Sequence, residues 1–153
     1  MGVSAKTIII GGLVFLSAII GVSVLLTAGQ KTPPKADIYS VFDFGDIKVS
    51  DVKEKDFVLK NTGTKPLQIL NINSSCNCTF GKIIYNGKET KEYGMHAQSG
   101  YLMDIAPNTE AKVRVIYQPS LMPVYGVVER EVYVTTNDPQ KQRLIFAVKA
   151  KVL

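Results

Sequence analysis

Cys76 and Cys78 are the only two cysteines in this 153-residue chain, and a single residue separates them. Residues two apart on an extended strand project to the same side, so the segment Ser75-Cys76-Asn77-Cys78-Thr79 would present two sulfurs on one face. Two neighbouring thiolates are good ligands for soft ions such as copper(I) or zinc. Met95, His96, Met103 and, further on, Met122 supply the thioether and imidazole donors that would complete a copper site. Two other readings of the pair stand beside this one. The cysteines can pack as small apolar side chains where a strand leaves the core, or they can close a disulfide across one residue. That closure needs Cα atoms nearer than a regular strand provides, which suits thiol exchange better than stability.

Hydrolytic chemistry has no comparable support. His96 is the sole histidine, no nucleophile motif accompanies it, and no glycine-rich turn marks a phosphate cradle. Glu129 and Glu131 share one face of a strand and read as a solvated pair. Asp43, Asp46, Asp51, Glu54 and Asp56 lack the fixed spacing of a calcium loop. Asn73-Ser74-Ser75 and Asn77-Cys78-Thr79 match the glycosylation pattern by chance. The chain therefore reads as a non-enzyme.

The elements that position the cysteines begin with an apolar run. Residues 7–27 carry no charge and are long enough to span a hydrocarbon core as a helix, with Ile8, Leu13, Phe15, Ile20 and Leu25 among its apolar residues. The run exceeds a signal-peptide core and lacks a good small-x-small cleavage site, which favours a retained anchor. Residues 1–6 form a short cytoplasmic tail. The expected location is the cell membrane, crossed once, with the carboxy-terminal domain outside the cytoplasm. Residues 28–37, with Pro33-Pro34, read as a stalk, and residues 38–153 as one domain. Seventeen of the eighteen basic residues and all thirteen acidic ones follow the anchor, an excess of four positive charges. So small and dispersed a surplus argues against nucleic-acid binding.

Beyond the stalk, two-residue alternation recurs. Leu144, Phe146, Val148 and Val152 alternate with Arg143, Lys149 and Lys151; Val113, Val115 and Tyr117 alternate with Lys112 and Arg114. Val128, Val132 and Val134 alternate with Glu129, Glu131 and Tyr133, a pattern that Arg130 breaks. Phe57 and Leu59 share one parity, and Leu67 to Ile72 is apolar on both, as for a strand covered on both faces. Asn61-Thr62-Gly63, Asn86-Gly87, Ala106-Pro107-Asn108 and Thr136-Asn137-Asp138-Pro139 punctuate these runs. The pattern predicts an all-β, immunoglobulin-like antiparallel sandwich of about seven strands behind one membrane helix. With no Trp and both cysteines adjacent, no disulfide can join the sheets.

Phe42-Asp43-Phe44-Gly45, Lys60-Asn61-Thr62-Gly63, Pro66-Leu67-Gln68-Ile69, Ser74-Ser75-Cys76-Asn77-Cys78-Thr79 and Thr136-Asn137-Asp138-Pro139 occur in that order. The set resembles a bacterial family of anchored or secreted domains of unknown function, related to the Hydin-type immunoglobulin-like superfamily. The resemblance covers about residues 38 to 153 and implies a sandwich that serves in binding or assembly, without established catalysis. Two departures stand out. Asn77 occupies the place of the family's Gly between the cysteines, and residues 83–102 read as an insertion. The expected role is thus binding a protein partner, or serving as an accessory subunit of a membrane complex. The alternative is a carrier of copper, or of thiol equivalents, through Cys76 and Cys78.

Overall fold

The structure, a computed structural model, describes residues 36, 37, 40–98 and 100–153. The expected tail and anchor, including Ile8, Leu13, Phe15, Ile20 and Leu25, lie outside the described residues. Among the described residues no helix is long and apolar enough to cross a membrane.

Ten strands follow in chain order: β1 Ala36–Asp37, β2 Ser40–Ile47, β3 Lys53–Asn61, β4 Leu67–Ser74, β5 Thr79–Tyr85, β6 Lys88–Glu89, β7 Met103–Ile105, β8 Glu110–Tyr117, β9 Gly126–Thr136 and β10 Arg143–Val152. They form two five-stranded sheets, ordered β1-β3-β8-β5-β6 and β2-β10-β9-β4-β7. β1, β6 and β7 have two or three residues each, so seven strands carry the sandwich. The first of the short strands falls in the stretch read as stalk.

Two details depart from simple alternation. β2 runs parallel to β10, whereas the other pairs among the described strands are antiparallel. The chain reaches β2 after β1 has paired with β3, so the amino-terminal strand region changes sheet. The apolar run Leu67 to Ile72 does not mark a strand covered on both faces, as the sequence suggested. The pairing of β4 with β9 slips between Ile69 and Asn71, and an extra residue in one strand switches which parity faces inward. Leu67 and Ile69 are buried before the slip, Ile72 and Ser74 after it.

Each sheet turns one apolar face to the other. Phe57 of β3 meets Phe146 of β10 with ring centroids 5.6 Å apart, and Leu59, Ile83, Val113, Val115, Val132, Val134 and Leu144 fill the space around them. The sheets meet closely at Gly81, where a Cβ would stand 2.4 Å from a methyl of Val132 and 3.0 Å from one of Ile72. Gly81→Ala should therefore lower stability by roughly 1–3 kcal/mol through overpacking, read as a shift in the urea midpoint. Adding Val132→Ala should recover part of that loss. A Gly81→Ala protein as stable as the parent would mean that the sheets do not meet here.

Candidate functional site

The two ends of the sandwich differ. At the end where β1 pairs with Lys60 and Asn61, recurring motifs serve as connectors. Asn61 is fully buried; its amide donates to the carbonyls of Lys65 and Ile105 at 2.8 and 2.9 Å. Asn137 accepts the Gln68 amide at 2.9 Å, and buried Asp138 accepts those of Gln140 and Lys141. These side chains tie turns to neighbouring strands and leave little capacity for a ligand.

At the other end lie the cysteines. They occupy the turn between β4 and β5, not an extended strand, and they are joined as a disulfide with Cα atoms 5.3 Å apart. Two residues on a regular strand would span about 6.6 Å, so the turn provides the approach that extended backbone denies. Cys78 is fully buried, Cys76 is 8% exposed, and Asn77 stands exposed at the tip.

Backbone bonds hold this turn apart from the S–S link. Ser75 donates to the Glu131 carbonyl, while the Glu131 amide donates to the Ser75 hydroxyl, each at 2.9 Å. The Gln118 amide donates to the Cys78 carbonyl at 2.8 Å, and that of Thr79 to the Cys76 carbonyl at 3.3 Å. Two donors converge on Cys76 Sγ: the Cys78 amide at 3.3 Å and the Thr79 hydroxyl at 3.2 Å. A disulfide sulfur has no hydrogen, so the hydroxyl is the donor.

Arg130 faces the same region. Residues of even number on β9 point inward, as buried Val128, Val132 and Val134 show, so the break in alternation marks a cation directed between the sheets. The Ser75–Glu131 pair continues the register of Ser74 and Val132, and Arg130 is the next residue of β9; its Nη1 donates to the Glu129 carbonyl at 3.0 Å. Its guanidinium carbon lies 5.9 Å from the centre of the Tyr117 ring, and Tyr117 pairs across the sheet with Thr79. The Tyr117 hydroxyl and Arg130 Nε are both buried without a hydrogen-bond partner. Burial pushes the Tyr117 phenol up, against an opposing pull from Arg130.

Exposed apolar side chains surround this pole. The connection from β8 to β9 exposes Leu121, Met122, Val124 and Tyr125, the last by 67%, and Val127 follows at 80%. Val52, before β3, and Leu153, whose amide donates to the Ile47 carbonyl, add to the rim. Sequence reading took Met122 only as a thioether donor and missed the group as a surface, although apolar residues in a connection containing Pro and Gly were its signal. Tyr117 was indistinguishable from a core residue.

The remaining candidate ligands are dispersed. Met103 pairs with Ile69, seven residues along the chain from Cys76, or roughly 20 Å at strand rise. Met95 and His96 are exposed and follow Tyr93 and Gly94, which lie beside Gly81 and Phe80 at the edge of β5. Among the described residues no group of three His, Cys, Asp or Glu side chains could hold a metal ion. Met103 instead lines a shallow cleft of about 210 Å³ with Tyr85, Asn86, Lys88 and Asp104, smaller than the usual small-molecule site of roughly 300–1,000 Å³.

Two facing sheets, with a strand region that changes sheet, define an all-β immunoglobulin-like sandwich. Residues 38–94 match the model of a family described as a protein of unknown function (DUF1573). The match takes in the cysteine turn and ends before β7. No curated protein matches the chain. Among solved structures, a protein of unknown function from Porphyromonas gingivalis W83 is similar at 16% identity and TM-score 0.58, over 82% of this chain and 49% of its own. A family 123 glycoside hydrolase from Clostridium perfringens is similar at 15% identity and TM-score 0.53, over 74% of this chain and 23% of its own. The chain thus spans about half the length of the first and under a quarter of the second, and at these identities the likeness is one of fold.

Closing a loop of three residues contributes only about 1.5 kcal/mol in the chain-entropy account. The Cys76→Ser/Cys78→Ser double variant should therefore remain folded, with unfolding free energy lower by no more than about 2 kcal/mol in urea titration. Loss of cooperative unfolding would show that the disulfide is a staple of the fold. Arg130→Met should change stability by less than about 1 kcal/mol, because the side chain is half-buried, its Nη1 already donates to the Glu129 carbonyl, and only Nε is buried without a partner. A clear loss of stability would mean that the guanidinium is well satisfied.

Proposed function

We propose that this chain is a membrane-anchored, extracytoplasmic binding module that meets a protein partner through the pole carrying the cysteine turn. The observation that supports this most is the cluster of exposed apolar residues at that end: Val52, Leu121, Met122, Val124, Tyr125 and Val127. Large apolar side chains exposed together in one connection offer a contact surface, and Val127 follows on the outer face of β9 beside Asp46, Lys149 and Lys151. β1, the first described strand, pairs at the opposite pole.

Strand addition is the less favoured mode. The edge strands β1, β6 and β7 are very short. The longer edge strand β2 is interrupted where its pairing with β10 slips, and Gly45 there has φ +69°. Short and bulged edges are poor templates for another strand. An anchor at residues 7–27 would concentrate the module at the membrane, and a closed disulfide accords with an oxidising compartment. Copper or zinc binding at Cys76 and Cys78 would first require reduction, since metals bind thiolates.

A photo-crosslinking residue at position 121 or 125 of the full-length chain in its native membrane should yield one discrete adduct. The same residue at Val58, exposed on the outer face of β3, should not. Leu121→Glu/Tyr125→Glu should remove the adduct from position 124 without altering the level of the protein. A chain that gives no adduct at the pole and elutes alone after mild solubilisation would overturn the binding reading.

A further inference from the structure

We propose that the Cys76–Cys78 pair is a thiol–disulfide exchange site whose partner class is a protein disulfide, with Cys76 as attacking sulfur and Cys78 as resolving sulfur. This goes beyond the binding reading and stands on separate observations.

The asymmetry between the two cysteines assigns the roles. Cys76 retains 8% exposure and Cys78 none, so Cys76 is the more accessible of the two to an incoming sulfur. The Cys78 amide and the Thr79 hydroxyl both donate to Cys76 Sγ, whereas Cys78 Sγ has only the Thr79 hydroxyl, at 3.8 Å. Donors aimed at a sulfur favour its thiolate over its thiol.

These donors do not depend on the S–S bond. Thr79 is held by pairing with Tyr117, and the turn by the Gln118–Cys78 and Ser75–Glu131 hydrogen bonds. When the bond opens, the donors stay in position to receive the thiolate. The small contribution of so short a loop to stability also leaves the bond free to open without loss of the fold.

In the reduced chain, the Cys76 thiolate attacks one sulfur of the partner disulfide. An S–S bond forms between Cys76 and the partner, and the partner's second sulfur departs as a thiolate. Cys78, after giving its proton to solvent, attacks Cys76 Sγ; the mixed disulfide breaks, and the partner's first sulfur leaves. Two electrons pass from the Cys76/Cys78 dithiol to the partner, which takes up two protons as it becomes a dithiol. The chain ends in the disulfide form of this structure. The reverse sequence oxidises a partner dithiol by the same atoms.

The test uses the reduced full-length chain in mild detergent with oxidised glutathione as probe, followed by mass spectrometry and thiol titration. The parent should release two equivalents of reduced glutathione and carry none. Cys78→Ser should retain one glutathione on Cys76. Cys76→Ser should react about tenfold more slowly at pH 7, as expected when the better-stabilised thiolate is removed. Thr79→Val should move the pH midpoint of Cys76 alkylation upward while leaving circular dichroism unchanged. Equal rates for the two single-cysteine variants, or a midpoint unmoved by the Thr79 substitution, would overturn the assignment. Because the leading measurement is chemical, its failure would leave crosslinking at the apolar pole unaffected, and the reverse also holds.

Discussion

The only disulfide in the chain closes a turn and crosses nothing, so the two sheets adhere through close packing, with the buried Asn61–Ile105 hydrogen bond between them at one end. Gly81 shows how tight that packing is: the facing methyls of Val132 and Ile72 occupy the volume a side chain would need. Around it the buried rings of Phe57 and Phe146 and a set of branched aliphatic residues complete the core. Such an interior tolerates little change in volume, and each strand must arrive in a fixed register. The slip within β4 and the bulge within β2 are the local adjustments that keep apolar residues inward despite an imperfect alternation.

The rigid frame separates two kinds of end. At one, Asn61, Asn137 and Asp138 spend their hydrogen bonds on the backbone of adjacent connections. Their presence in recurring motifs follows from turn architecture. At the other end, the backbone of the cysteine turn is equally well bonded, but its side chains include a disulfide, an inward arginine and a buried hydroxyl without a partner. Unsatisfied buried polar atoms weaken a fold. A domain that retains them beside its only sulfur pair accepts a local cost where chemistry is available.

The apolar rim and the cysteine turn share this pole, yet they draw on different physics. The rim offers area, and association through it is governed by desolvation of Leu121, Tyr125 and their neighbours. The turn offers a specific sulfur with two donors directed at it. Their proximity would let a partner held by the first meet the second, but neither requires the other.

Periodicity alone determined a great deal: the strands around Val113, Val132 and Phe146, the turns between them, the two-sheet class and the impossibility of an inter-sheet disulfide. Alternation is imposed locally by the pleat, so a linear reading captures it. It also flagged Arg130 as an exception without saying why. What only the tertiary structure decided is where side chains distant in the sequence meet. The slip in β4 reverses facing after Ile69, β1 and β2 pair with different sheets, and the β8–β9 connection comes to lie beside a turn some forty residues earlier. The closure of Cys76 onto Cys78 belongs to the same category. Extended backbone would hold them too far apart, and the turn that brings them together is imposed by hydrogen bonds from Gln118 and Glu131, residues contributed by the rest of the sandwich.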